Sequence, residues 1–215
     1  ADCFWCLSYI VDVSDRMTKI VLESTIMRRC YDLVANFAAF LRETESPGVA
    51  YDSSAAKIGA FAICPIIRML GNIVTGSDEV TDAVIRGGFL NFMSTIFYRY
   101  ENKKLPRIRK EICWMLSNVS AGTPEQVSYI LDSDLANLLI DAISRYELYV
   151  RKEASYAIMN LLHFCSRNPE RLQTLLNNQV IQAIQIHLSA IANVPDLQAQ
   201  ALDAVRYALE AGEKI

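Results

Sequence analysis

Three times along the chain, a signal that ends a helix is followed at once by a signal that starts another. The segments are Gly76-Ser77-Asp78-Glu79, Gly122-Thr123-Pro124-Glu125-Gln126 and Asn168-Pro169-Glu170. Glycine ends helices, Ser, Thr and Asn cap a first turn, and proline fits that turn because its missing N–H costs nothing there. Between these signals apolar residues recur at three- and four-residue spacing, and no convincing alternating strand appears. The sequence therefore predicts an all-α fold made of repeated helical units.

Each unit reads as a short helix followed by two longer ones, at a period of roughly 42–47 residues. This order is typical of armadillo and HEAT repeats, whose units must stack because none closes its own core. We expect one armadillo-type array over residues 1–215, a right-handed superhelical solenoid of about four repeats with truncated ends. The repeat ends are predicted near residues 13, 76, 122 and 167.

One insertion interrupts this regularity. Residues 43–57 contain Ser46-Pro47-Gly48 and are predicted to form a long, mobile loop. The next helix is expected to begin near Pro65, which suits a first helical turn.

Composition excludes several classes of function. The net charge of −3 gives no basic footprint for nucleic acid. The sequence contains no run of eighteen or more apolar residues, so we expect no transmembrane helix. The chain begins without Met in what reads as the middle of a helix, so we expect a fragment of a larger protein. We find no phosphate-binding loop, catalytic triad or paired metal ligands, and expect no enzyme activity, cofactor or metal.

Six cysteines lie in apolar helical contexts and are predicted to be reduced and buried. Cys3 and Cys6 have the spacing of a zinc half-site, but His163 and His187 are far away in sequence and not paired with cysteines. We therefore favour core packing beside Trp5 over metal or redox chemistry.

A ladder of unusual side chains appears when the third helices of the units are aligned. One position is filled by an aromatic or charged residue, namely Trp5, Arg68, Trp114, Tyr156 and Asp203. Four residues later, and so on the same helix face, stand Tyr9, Asn72, Asn118, Asn160 and Tyr207. Glu111 and Glu153 precede the two central rings by three residues. These groups are predicted to form a row on the inner face.

Plainer interpretations stay open at this point. A single tryptophan on a helix is commonly a core residue, and each asparagine is able to cap or bond a neighbouring loop. The two glutamates follow Lys110 and Lys152 and are compatible with a solvated face. The basic stretch from Lys103 to Lys110 resembles a localisation signal or a nucleic-acid patch, but its place between repeats favours a loop and a helix start.

Three segments carry a family resemblance: residues 2–9, 70–79 and 110–122 resemble the armadillo domain of importin α, also called karyopherin α. The resemblance extends over most of the chain outside residues 42–57. It implies an adapter that carries nuclear-localisation-signal cargo between cytoplasm and nucleus, with importin β bound through an N-terminal segment absent here. It places the family's minor signal-binding groove within this chain and implies no direct nucleic-acid or membrane partner.

The resemblance also implies residue roles. Trp114 and Tyr156 would be stacking walls, although Tyr156 stands where the family usually has tryptophan. Asn72, Asn118 and Asn160 would clamp the peptide backbone, and Glu111, Glu153 and Ser117 would contact basic side chains. The pocket for the principal lysine or arginine would be lined by Val74, Thr75, Gly76 and Thr81. Arg68 would repel a lysine above it and so separate the minor groove from the remnant of the major groove around Trp5 and Tyr9.

Elementary geometry is compatible with this mechanism. Packed helices stand about 8–10 Å apart and an extended peptide advances about 3.3 Å per residue, so one repeat meets about three ligand residues. A cationic side chain between two rings gains about 0.5–2 kcal/mol. The alternative is an armadillo or HEAT scaffold for a folded partner, with a degraded peptide groove. We expect neither histidine to lie on the ladder face.

Overall fold

The computed structural model of the chain describes residues 1–43, 54–99 and 107–214. Within these ranges every regular element is helical. The α-helices are α1 (Asp2–Val13), α2 (Asp15–Glu23), α3 (Thr25–Glu43), α4 (Ser54–Ile73), α5 (Asp78–Arg86), α6 (Met93–Arg99), α7 (Arg107–Val119), α8 (Pro124–Leu131), α9 (Leu135–Arg145), α10 (Leu148–Arg167), α11 (Leu172–Asn177), α12 (Val180–Ala190) and α13 (Pro195–Gly212). Short 3-10 helices, Phe89–Phe92 and Pro169–Arg171, precede α6 and α11.

The order of these helices agrees with the predicted repeat. After α1, the described α-helices form four groups of three, which end with α4, α7, α10 and α13. The second helix is longer than the first in three groups, but α6 has 7 residues and α5 has 9. The chain divides into two compact units, one from Ala1 to Met115 and one from Leu116 onward, with the division inside α7. The prediction of one continuous array stays a prediction.

In the first unit the core is built by apolar stripes at helical spacing. On α3 these are Cys30, Val34, Phe37, Ala38 and Leu41, all buried. This face packs against α4 and α6. A residue that returns every three or four positions stays on one side of a helix, so the stripe alone orients α3.

The predicted start of a helix at Pro65 is wrong. Pro65 lies inside α4, which begins at Ser54. An internal proline removes one backbone hydrogen bond and normally weakens a helix. Here the turns before it bury Ala60, Ile63 and Cys64, and this apolar burial offsets the lost bond. Of the predicted insertion, residues 44–53 lie outside the described ranges, and residues 54–57 belong to α4.

In the second unit, α10 is the central helix. It packs against both α9 and α13. Its buried residues Ala154, Ile158, Leu161 and Cys165 follow the same spacing. A buried hydrogen bond of 3.0 Å between Ser155 Oγ and Gln200 Oε1 adds a polar contact between α10 and α13.

One of the three predicted helix starts has a complete capping box. Thr123 Oγ1 accepts from the Gln126 backbone N–H, and the Gln126 side chain accepts from the Thr123 N–H. A Cβ at Gly122 would overlap Gln126 Oε1, so a larger residue there would displace the side chain that completes the capping box. Ser77 and Asn168 occupy the equivalent positions without a side-chain cap bond.

The cysteine prediction holds in part. Cys30, Cys64, Cys113 and Cys165 are free and buried, whereas Cys3 and Cys6 are free and exposed. The expected core packing of Cys3 and Cys6 is therefore wrong. The buried stripe of α1 runs through Ser8 and Val11, and the two thiols fall outside it. Among the described helices, none combines the length and apolar character that crossing a bilayer requires.

Candidate functional site

In the first unit, Arg68 joins two of the predicted ladder residues. Its guanidinium carbon lies 4.3 Å from the centroid of the Trp114 ring, and its Nη1 lies 3.1 Å from Glu111 Oε2. Arg68 projects from α4, whereas Glu111 and Trp114 lie one turn apart on α7. One cation on α4 therefore contacts both the ring and the carboxylate of α7.

Glu111 is the most enclosed charged group of this cluster, with 1% of its side chain exposed. Besides Arg68, Arg107 Nε and Lys110 Nζ each lie 3.7 Å from Glu111 Oε1. Arg107 also places its guanidinium carbon 5.2 Å from the centroid of the Trp5 ring. We call Arg68, Arg107, Lys110 and Glu111 the Arg–Glu cluster. Its three cations outnumber its one carboxylate, and Glu111 is already neutralised within the chain.

The Trp114 ring lies directly on Gly71 of α4. A Cβ added to Gly71 would approach Trp114 Cε3 to 2.7 Å, so any larger residue would displace the indole. Glycine is required at position 71 because the indole ring packs closely against the backbone of α4, and not because the backbone has an unusual conformation there. Sequence reasoning missed this contact, although a glycine inside an apolar helical run was a usable signal.

Asn72 makes a hydrogen bond within the chain. Its Nδ2 donates to the Ser8 backbone oxygen of α1 at 2.8 Å, and the residue is only 6% exposed. Its Oδ1 is buried and has no hydrogen-bond partner among the described residues. The plainer interpretation of this asparagine, a bond to a neighbouring segment, is therefore correct for its nitrogen.

In the second unit, Asn160 repeats this arrangement. Its Nδ2 donates to the Ser117 backbone oxygen at 3.1 Å and lies 3.3 Å from Ser120 Oγ. Ser117 immediately precedes Asn118, as Ser8 precedes Tyr9 in the ladder. The Nδ2 of Asn118 is buried and has no hydrogen-bond partner in the described part of the chain.

The remaining ladder residues differ in exposure. Tyr156 is 39% exposed and Glu153, one turn before it on α10, is half-buried. Tyr9 is 65% exposed, with its ring centroid 6.5 Å from that of Trp5. Tyr156 and Tyr9 therefore present ring surface to solvent.

The residues predicted to line a lysine pocket divide into two pairs. Val74 and Thr81 are buried, and the Thr81 hydroxyl donates to the Val74 and Ser77 carbonyls at 3.4 Å. Thr75 and Gly76 are exposed and line a cavity on the side of α1 and α2.

The expectation that neither histidine lies on the ladder face is wrong for His163, which shares a face of α10 with Asn160. His163 and Asn160 line the same cavity of about 330 Å³, together with Phe164 and Arg167. The His163 ring centroid is 4.6 Å from that of Tyr207 on α13. His163 follows Asn160 by three residues and so lies on the same face of α10, a signal that the sequence contained. His187 on α12 is buried.

Comparisons with known proteins agree with the fold that these helices define. A computationally designed armadillo repeat protein for modular peptide recognition superposes with a TM-score of 0.63 and 18% identity, covering 96% of this chain and 92% of that one. A designed armadillo repeat protein in complex with the peptide (KR)4 gives a TM-score of 0.60, 16% identity and the same coverage. The chain is an armadillo-repeat protein, and the predicted fold class is confirmed.

The proteins with similar sequences belong to one group of armadillo-repeat proteins, the importin α subunits. Importin subunit alpha-1a of Oryza sativa subsp. japonica is 28% identical over 140 residues, which cover 65% of this chain and 22% of the relative. Importin subunit alpha-2 of the same organism is 24% identical over 163 residues, which cover 73% and 26%. The chain thus resembles an armadillo segment of importin α, and spans about a quarter of the length of these relatives. No protein-family model matches it.

Proposed function

We propose that this chain binds an extended, basic peptide along the ladder of its third helices and acts as part of a nuclear import adapter. The ligand would be a nuclear-localisation signal of a cargo protein. The role is one of binding, not catalysis, and needs no cofactor. The resemblance to importin α subunits supports this choice among the functions of armadillo proteins.

The observation that carries the proposal is the cation held by Trp114 and Glu111. The guanidinium of Arg68 contacts the face of the Trp114 ring on α7. Its charged nitrogen also pairs with Glu111, one turn earlier on the same helix. A cargo lysine or arginine requires the same two contacts. Ring surface is supplied by Trp114, Trp5 and Tyr156. Part of this surface is already covered within the chain, because Arg68 lies over Trp114 and Arg107 lies over Trp5.

The second unit supplies an equivalent pair of groups on α10. Tyr156 is exposed and Glu153 lies three residues before it, in the arrangement of Trp114 and Glu111. We assign Tyr156 and Glu153 to a ligand cation, with weaker stacking than tryptophan would give. Asn118 is half-buried, and its Nδ2 has no partner among the described residues; we assign it to donate to a peptide carbonyl. Ser117, Val74, Thr75, Gly76 and Thr81 complete the proposed contacts.

In the cell, the proposal implies a protein that moves between cytoplasm and nucleus. Importin β would bind through a segment of a longer chain, and the cargo would bind here without direct contact to nucleic acid or membrane. Part of the attraction between ligand and chain is ionic, so added salt should weaken binding.

A fluorescence-anisotropy titration with a labelled (KR)4 peptide tests the proposal. Trp114→Ala, Asn118→Ala and Tyr156→Ala should each weaken binding at least fivefold, because each removes a contact worth about 1 kcal/mol or more. Tyr98→Ala is the matched control: Tyr98 is 38% exposed but lies on α6, which carries no ladder residue.

The competing function is a scaffold for a folded partner. It draws support from Arg68, Asn72 and Asn160, which already make contacts within the chain. Equal binding of the peptide by the parent chain, the three ladder variants and Tyr98→Ala would exclude the peptide adapter and favour the scaffold.

A further inference from the structure

Helix α10 extends further past its ladder asparagine than α4 and α7 do. α4 ends at Ile73 and α7 ends at Val119, each one residue after its asparagine, whereas α10 continues to Arg167, seven residues after Asn160. Each of the other two asparagines is followed four residues later by glycine, but Phe164 stands at that place in α10. The extension adds roughly one and a half helical turns.

This extension borders a cavity of about 330 Å³ in the second unit. Ser120 and Gly122 line the cavity from the turn after α7, and Pro124 lines it from the start of α8. His163 and Arg167 line it from the extension of α10. No carboxylate is found among the described residues that line this cavity. Its charged lining is therefore cationic, unlike the acidic side chains predicted along the ladder.

The neutral polar groups of the lining already use donors within the chain. Asn160 Nδ2 donates to the Ser117 carbonyl at 3.1 Å and to Ser120 Oγ at 3.3 Å. The Ser120 hydroxyl gives its proton to the same Ser117 carbonyl at 2.8 Å. Asn168 Nδ2 gives one proton to the Phe164 carbonyl at 3.1 Å. Most of the donor capacity left for a ligand is thus on the two remaining polar side chains of the extension.

Arg167 and His163 keep their donors uncommitted. Arg167 is exposed and makes no hydrogen bond or ion pair with the described residues. His163 is half-buried, and its ring is held 4.6 Å from the Tyr207 ring, centroid to centroid. Its ring nitrogens make no hydrogen bond within the described ranges. A guanidinium presents a planar fork of N–H groups, and an imidazole adds a further donor, which together suit an anion.

We propose that this cavity binds an acidic side chain, carrying a carboxylate or a phosphate, of the peptide that lies along the ladder. The proposal rests on the function proposed above and adds an acidic residue to the basic ligand. Asn160 belongs to both the ladder and the lining, so a peptide that contacts it passes the cavity. Arg167 would pair with the anion through two N–H groups, and His163 would donate a further bond. A lysine or arginine would meet the like charge of Arg167.

Other charges near the cavity limit the size of this preference. Glu125 and Glu170 are close to lining residues in sequence and are exposed, but neither lines the cavity. Lys214 Nζ donates to the carbonyl of Ser166, the residue before Arg167, at 2.5 Å and adds a positive charge. These charges offset one another, so selectivity depends on direct contact with the lining.

The test compares labelled (KR)4 peptides in which one residue, at each position in turn, is replaced by glutamate or by glutamine. At one position the glutamate peptide should bind about threefold more tightly than the glutamine peptide, the gain expected of one exposed ion pair. Arg167→Glu should reverse this order. Arg145→Glu is the matched control, because it changes the net charge equally at an exposed residue of α9 outside the cavity.

His163→Phe tests the second donor. Phenylalanine keeps an aromatic ring beside Tyr207 but has no N–H, so the preference for glutamate over glutamine should fall while helicity is retained. An unchanged preference in this variant would remove His163 from the site.

Phosphoserine at the favoured position identifies the anion. A phosphoryl group carries a charge of about −1.5 to −2 and three acceptor oxygens, so this peptide should bind about tenfold more tightly than its serine counterpart. Tighter binding of phosphoserine than of glutamate would assign the cavity to phosphate, and the opposite order would assign it to a carboxylate.

The outcomes separate this site from the ladder. If Trp114→Ala weakens binding of (KR)4 while neither glutamate nor phosphoserine improves on its neutral counterpart at any position, the cavity proposal is wrong and the adapter function stands. If the acidic peptides are preferred but Trp114→Ala, Asn118→Ala and Tyr156→Ala have no effect, the cavity is an anion site and the ladder function fails. A reversal by Arg145→Glu as large as that by Arg167→Glu would mean that net charge alone sets the preference, and would overturn the cavity proposal.

Discussion

The guanidinium carbon of Arg68 lies 4.3 Å from the centroid of the Trp114 ring, and Nη1 of the same side chain lies 3.1 Å from Glu111 Oε2. One side chain of α4 thereby fixes the position of a ring and a carboxylate on α7. The indole in turn lies against Gly71, three residues after Arg68 on α4. Substitutions at these positions should therefore affect both stability and ligand binding.

Gly71→Ala should destabilise the chain by about 1–3 kcal/mol, because the new methyl group overlaps the Trp114 ring and the core must shift. The free energy of unfolding in urea and the tryptophan emission maximum measure the two consequences. Gly212→Ala is the control, since a Cβ at Gly212 meets no atom within 4 Å. Equal stability of the two variants would show that the indole does not need the space at Gly71.

Glu111→Gln should reduce stability by about 1–3 kcal/mol, because Arg68, Arg107 and Lys110 lose their common buried partner. Urea denaturation measures the effect, with Glu147→Gln as an exposed control. Arg68→Met should cost less in the Glu111→Gln background than in the parent, since the pair is then already broken. Strictly additive effects would indicate that the two side chains do not interact.

Stability should decrease as the pH falls from about 6.5 to about 4 because of His187. Burial, with a further contribution from the positive charge of Arg151, lowers the pKa of this imidazole from 6.5 to about 4. Above pH 6.5 the ring is neutral in both states and contributes no pH dependence. Between the two values the unfolded chain binds a proton that the folded chain does not, so stability falls by up to about 3 kcal/mol.

The difference in unfolding free energy between the parent and His187→Leu, measured from pH 7.5 to pH 4, isolates this effect from the carboxylates. Both nitrogens of His187 are buried and lack hydrogen-bond partners among the described residues, so leucine should be tolerated at neutral pH. A difference that does not change with pH would refute the assignment.

Two of the six thiols should react rapidly with Ellman's reagent in the folded chain. Cys3 and Cys6 are exposed, whereas the other four are buried. Burial raises the pKa of Cys30 and Cys64 to about 11 and that of Cys165 to about 12, which suppresses the reactive thiolate. The variant Cys3→Ser with Cys6→Ser should lose the rapid phase, and all six thiols of the parent should react in denaturant. More than two rapid thiols in the parent would contradict this burial.

Much of the fold followed from local signals in the sequence. The capping box at Thr123 and the predicted order of the helices needed no long-range information, because caps and apolar periodicity act within a few residues. The predicted helix start at Pro65 was wrong because the effect of a proline depends on burial of the turns before it, and tertiary packing decides that burial. The predicted burial of Cys3 and Cys6 was wrong because an apolar sequence context does not show which face of α1 packs against the core.

The candidate site was predictable as a set of residues but not as a set of contacts. Spacing placed Arg68, Glu111 and Trp114 on third helices, and the resemblance to importin α assigned their roles. Neither source predicted that Arg68 occupies the Trp114 ring, since this depends on the distance between α4 and α7 at Gly71. The bonds of Asn72 and Asn160 to backbone oxygens likewise depend on packing of neighbouring helices.

These asparagine bonds have a consequence for the polarity of a ligand. Because the nitrogens of Asn72 and Asn160 are held by the carbonyls of Ser8 and Ser117, the free end of each amide is its oxygen lone pair. A polypeptide main chain is not symmetric, as its amide hydrogens and carbonyl oxygens alternate in a fixed order from the amino to the carboxyl end. An amide held in this way can pair with an N–H of such a main chain and not with a carbonyl, without reading any of its side chains.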